Sequence, residues 1–183
     1  MVYQAKPGDA VLARTATIYG KLIRAGQAIR WWQGHGWNHM AIVVKVDPDG
    51  TVWCLQMTKQ CTLVKIEDVA KNGHVKIVPI PADLDVDHVI KYAYAQLGID
   101  YGVATIGSIA INLALPRFLN FDFSRTGTLI CSTLVARSWE HGGWLCPTDA
   151  GQITPGQFDQ LLGSGGVPVY YPLNKMKDSN VKH

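Results

Sequence analysis

The 183-residue sequence has few of the features that assign a protein at a glance. It has no apolar run long enough to cross a bilayer. The longest nearly apolar stretch, VATIGSIAINLAL at 103–115, is about 13 residues where roughly 20 are needed, so no transmembrane segment is expected. The opening residues MVYQAKPGDA lack the apolar core of a signal peptide. That leaves the cytoplasm as the default compartment, with export by another route still open. Charge is sparse: Asp, Glu, Lys and Arg make up 17%, the net charge is +3, and the basic residues are scattered. Without a basic stripe, nucleic acid is not an expected partner. The four cysteines, Cys54, Cys61, Cys131 and Cys146, form no C-x-x-C pair, which argues against a zinc knuckle and gives no disulfide framework. His35 and His39 have helical metal-ligand spacing, but Gly34 and Gly36 flank the first, so a metal site is not expected there.

What is present is a core. With 48% hydrophobic residues, a chain of this length suits one domain, over 1–173, followed by a polar tail at 174–183. The first half reads mostly as strands: a turn and then a short strand in PGDAVLAR at 7–14, the apolar HMAIVVKV at 39–46, TVWCLQM at 51–57, and runs at about 62–66 and 75–80. A glycine-interrupted helical pattern occupies Thr17 to about Trp32. Helices dominate after PADLDVD. Asp85 or Asp87 caps a helix reaching Leu97, with Val89, Ile90, Ala93 and Leu97 inward and Gly98 as its stop. Further helices are expected after Tyr101, around Cys131, and at PGQFDQLL, 155–162, where Pro155 suits a first helical position. VPVYYP at 167–172 reads as a last strand. Strands grouped before helices predict an α+β domain with an antiparallel sheet packed against helices.

The segment TGTLICSTLVARSWEHGG, 126–143, carries the chemistry. Thr128 can cap the helix and Gly142-Gly143 can end it, which places Cys131 near the third helical position. There the unpaired N–H groups and the helix dipole favour a thiolate, as a nucleophile requires. The plainer reading is a small buried hydrophobe.

A thiolate nucleophile needs a base, and the base needs a third group to orient it. Of the six histidines only His39 begins a core strand. If the DPDG turn sets residue 46 opposite 51, then 41 lies opposite 56, and His39 and Gln56 become diagonal neighbours on one face. A slip of one residue separates them. Trp31, Trp32 and Trp37 precede His39, where they can line an aromatic groove or simply pack in the core.

The order His39, Gln56, Cys131, with PGD at 7–9, WNHMAIVV at 37–44, GIDYG at 98–102 and ICSTLVARSWEHGG at 130–143, resembles the circularly permuted NlpC-like cysteine hydrolases with a papain-type core. Within them the YiiX-like group is the nearer likeness, and lecithin:retinol acyltransferase a more distant one. In the permuted group the histidine strand precedes the cysteine helix, as here. The resemblance covers about residues 6 to 172 and implies a permuted papain-like core. It implies Cys131 as nucleophile, His39 as general base and then acid, and Gln56 as the orienting residue, where many relatives have glutamate or a second histidine. It also places Tyr101 near the site; Trp37 and Trp32, from their position just before His39, join it as substrate-binding or oxyanion-supporting candidates. The activity implied is cleavage of an amide in a peptide or cell-wall peptide through an acyl-enzyme, with no cofactor required. A lipid acyl hydrolase or acyltransferase, with 103–115 shaping a lipid pocket, and a catalytically silent binding module are the alternatives.

Overall fold

MAIVV, at 40–44, is apolar without interruption because both faces of its strand are covered. In the computed structural model, which describes residues 3–15, 36–69, 75–100, 130–151 and 153–162 and the backbone alone at 74 and 169–172, six strands form one antiparallel sheet. They are β1 (Ala10–Ala13), β2 (His39–Val46), β3 (Val52–Met57), β4 (Cys61–Lys65), β5 (His74–Val78) and β6 (Val169–Pro172), in the spatial order β4-β3-β2-β1-β5-β6. Four described helices accompany them: α1 (Ile66–Val69), α2 (Val86–Ala95), α3 (Cys131–His141) and α4 (Pro155–Leu162). The expected helices at 17–32 and after Tyr101 lie outside the described residues, as does the tail.

Strand alternation sorts the core into two layers. Ala10, Leu12, Met40, Ile42, Leu55, Met57 and Val78 share one layer with Val89 and Ala93 of α2, Leu134, Val135 and Trp139 of α3, and Phe158 of α4. Val11, Ala13, Ala41, Val43, Cys54, Val75 and Ile77 share the other with Ile66 and Val69 of α1. The pattern expected a strand through residue 66; instead the chain leaves β4 after Lys65 and makes one helical turn, which folds Ile66 and Val69 down onto the second layer.

Asp85 caps α2 by accepting from His88 N–H at 3.1 Å. Val89 and Ala93 are buried as expected, but Leu97 lies beyond the helix end and is 51% exposed. The helix stops at Ala95, and the chain turns through Gly98, at φ +82°, to join the edge of β4, where Gly98 N–H donates to Cys61 O at 3.0 Å.

PGD at 7–9 ties sheet to helix. Trp139 is fully buried, and its indole N–H donates to Gly8 O at 2.8 Å. Asp9, also fully buried, accepts from Ile80 N–H at 3.0 Å with one oxygen and from Lys6 N–H at 2.7 Å and the Tyr3 hydroxyl at 2.9 Å with the other. Burial pushes its carboxyl up from the ordinary aspartate value, and those bonds oppose the shift. At the far side, Lys76 of β5, almost wholly buried, is paired with Asp159 of α4. α4 opens with a capping box: Thr154 Oγ1 accepts from Gln157 N–H at 3.2 Å while Thr154 N–H donates to Gln157 Oε1 at 3.0 Å.

Candidate active site

The hairpin β2–β3 places His39. Its turn is one residue longer than the pattern predicts, so Val46 faces Val52 rather than residue 51. A β-bulge between Val43 and Lys45 takes up the extra residue, and beyond it Ala41 faces Gln56, as the expected register requires. His39 and Gln56 are therefore diagonal neighbours, and His39 Nε2–H donates to Gln56 Oε1 at 2.8 Å. Gln56 is buried rather than turned to water. Its amide oxygen fixes the ring orientation and the tautomer, leaving Nδ1 for a second partner.

That partner is Cys131. His39 opens β2 and Cys131 opens α3, and the imidazole and the sulfur are hydrogen-bonded. The expected helix start is corrected. Ile130, extended at φ −107° and ψ 166°, is the N-cap residue, Cys131 is the first helical position rather than about the third, and Thr128 lies outside the described residues. Ile130 has no side-chain oxygen with which to cap, and the sulfur itself accepts from Ser132 N–H in that first turn. It also accepts from Met40 N–H at the start of β2. At the other end the left-handed residue is Gly143, at φ +101°.

These contacts decide the charge state. Burial favours the neutral thiol, but the hydrogen bond and charge of His39, with the two backbone N–H donors, outweigh it and hold Cys131 below the ordinary thiol value. Burial likewise opposes a charged His39, yet the sulfur and Gln56 hold its pKa above the ordinary imidazole value. The signs define a window: the thiolate is lost as pH falls through the lowered Cys131 pKa, and the imidazolium is lost as pH rises through the raised His39 pKa. The other buried thiols move the opposite way. Desolvation lifts Cys61 to about 11 and Cys54 higher still.

Trp37 is half-buried against the helix-side layer, two residues before His39. Trp32 and Tyr101 lie outside the described residues. Three residues that the sequence reading passed over also shape the site. Asn38 is buried and bonded to Thr15; Ser132 Oγ donates to Ile153 O at 2.5 Å; and Thr133 Oγ1 donates to Gly151 O at 3.1 Å, fastening the first turn of α3 to the segment before α4. The available signal was polarity: WNH and CST put amide and hydroxyl side chains where a core strand and a core helix begin.

No protein-family model matches this sequence, and no curated protein does. Among solved structures, the chain is similar in fold to the metalloprotein YiiX from Escherichia coli O157:H7, with a TM-score of 0.55 and 13% sequence identity over 93% of this chain and 91% of that one. Among the described residues no three of His, Cys, Asp and Glu come together. Around Cys131 the donors are one thiol, one imidazole and a neutral amide already engaged by that imidazole, so the described residues there do not make up a metal-ligand set of the usual three or four donors. The α+β architecture is thus YiiX-like, and no described helix is long and apolar enough to cross a membrane.

Proposed function

We propose that this protein is a cysteine hydrolase that cleaves an amide bond, in a peptide or cell-wall peptide, through an acyl-enzyme on Cys131. One observation carries the reading: the sulfur at the first position of α3 is bonded to an imidazole whose opposite nitrogen is held at 2.8 Å by Gln56. A nucleophile, a base and an orienting group in that relation are what covalent acyl transfer requires. The histidine strand precedes the cysteine helix in the chain, which supports a permuted papain-like core.

In this mechanism the Cys131 thiolate attacks the substrate carbonyl carbon, and the C–O π electrons move onto oxygen. First-turn N–H groups of α3, Cys131 N–H among them, stabilise that oxyanion. Imidazolium His39 gives its Nδ1 proton to the leaving amine as the C–N bond breaks. Neutral His39 then takes a proton from water, which attacks the thioester, releasing the acid and restoring the thiolate–imidazolium pair. Gln56 keeps Nε2–H engaged throughout.

Cys131→Ala abolishes turnover of a peptide and cell-wall-peptide panel with folding intact, and a broad cysteine-directed probe labels the wild type but neither Cys131→Ala nor His39→Ala. A panel cleaved equally well by Cys131→Ala refutes the hydrolase. Exclusive activity on acyl-lipid esters moves the reading to a lipid acyl hydrolase of the same fold.

A further inference from the structure

The two edges of β2 end differently, and the nucleophile occupies the gap. Against β1, pairing runs to Ala13–His39 and is then prolonged by side chains. Asn38 Oδ1 accepts from Thr15 N–H at 2.7 Å and from the Thr15 hydroxyl at 3.1 Å, and Asn38 Nδ2–H donates to Thr15 O at 2.8 Å. Asn38 N–H donates to Ala13 O at 3.2 Å, and the side chain is 3% exposed. Against β3, the last pair is Ala41–Gln56, one residue short of Met40.

In an antiparallel ladder successive N–H groups point to alternate neighbours. Val43 N–H goes to Asp9 O, on the β1 side, so Met40 N–H points to the β3 side, where the ladder has stopped. A buried strand N–H without a ladder partner must find another acceptor. It finds Cys131 Sγ.

We propose that Asn38 is a positioning residue: its clamp on Thr15 fixes the first residues of β2 so that Met40 N–H and the His39 ring converge on Cys131 Sγ. The inference rests on the proposed hydrolase reading and deepens it. The clamp is built for this end of the strand, because all three bonds join Asn38 to a single residue of the neighbouring chain segment just past the last pair. Among the charged groups of the described residues on β2, β3, α2 and α4, the elements around α3, His39 acts most strongly on the sulfur. The backbone donors add to the hold of His39 on the thiolate, so a displaced Met40 N–H weakens it.

The test is the pH dependence of iodoacetamide alkylation at Cys131, followed site by site by mass spectrometry in the full chain. Asn38→Ala and Asn38→Asp, which sets a carboxylate against Thr15 O, are compared with the wild type and with Asn38→Ser, which keeps an acceptor for Thr15. We expect the acid limb of the profile to move up by about one pH unit in Asn38→Ala and Asn38→Asp, so that at any pH on that limb, below the wild-type midpoint, the rate falls about tenfold while the rate at pH 10 is unchanged. Asn38→Ser recovers part of that loss. If Asn38→Ala does not fold, replacing the Met40 amide by an ester, which removes the N–H alone, gives the same upward shift. An unmoved acid limb in folded Asn38→Ala, or in the ester variant, overturns this inference and leaves the hydrolase reading standing. A wild-type Cys131 alkylated at pH 6 no faster than the other three thiols overturns both.

Discussion

Gln56 is neutral and in direct contact with His39, so replacing it in two opposite ways must move the imidazole in two opposite directions. In Gln56→Glu a carboxylate takes the place of the amide oxygen now 2.8 Å from Nε2, at a position only 7% exposed. An opposite charge in contact shifts a pKa by about one to three units, and burying the new carboxylate uses part of that gain. A net rise of about one unit for His39 is expected, equivalent to about 1.4 kcal/mol in favour of the imidazolium. In Gln56→Ala the Nε2–H loses its acceptor, with a cost of about 1–3 kcal/mol to the buried donor, and His39 titrates lower than in the wild type. The assay is an NMR pH titration of the histidine Cε1–H resonances, with His39 assigned by its disappearance in His39→Ala. Displacement of both variants in the same direction, or an unmoved His39 midpoint in Gln56→Glu, refutes the argument that this contact sets the charge on His39.

Cysteine selectivity follows from the same electrostatics: at pH 6 iodoacetamide modifies Cys131 at least about tenfold faster than Cys54 or Cys61, whose thiols are held neutral by burial, and comparable rates on folded protein contradict this. Asp9→Asn turns an amide N–H toward donors that now face a carboxylate oxygen, so denaturant unfolding should show a loss of about 1–3 kcal/mol, and an unchanged midpoint sinks the anchoring role. Gly142→Ala and Gly143→Ala separate packing from conformation. A Cβ at 142 meets Val89 Cγ2 at 2.4 Å and Asp85 O at 2.9 Å, whereas at 143 it meets nothing but sits at φ +101°. The first variant should lose about 1–3 kcal/mol and the second about 1 kcal/mol, and Val89→Ala should rescue part of the first only.

How far the site was legible in the sequence depends on how local each feature is. The His39–Gln56 contact was readable because alternation and one turn fix a hairpin within 18 residues. Yet the turn-side register was wrong by one, and only the bulge at Val44, which leaves no mark in an apolar run, restored the alignment at Gln56. The opening of α3 was misplaced for a related reason. A threonine upstream is the usual cap, and the sequence gives no sign that a sulfur can satisfy a first-turn N–H itself. The capping box of Thr154 and Gln157 was a signal left unread, and α4 announced itself through Pro155. The ion pair of Lys76 with Asp159 did not, because 83 residues separate partners that meet only when α4 lies on the sheet. Leu97 matched the helical period but falls past the last turn, where periodicity no longer says what is inside.

Two of the groups that grip the sulfur are peptide amides, supplied by Met40 and Ser132 whatever their side chains. Any residue other than proline brings the same donor to those places. Substitution at Met40 or Ser132 therefore alters packing long before it loosens the hold on the sulfur, and a thiolate gripped in this way can outlast almost all the letters around it.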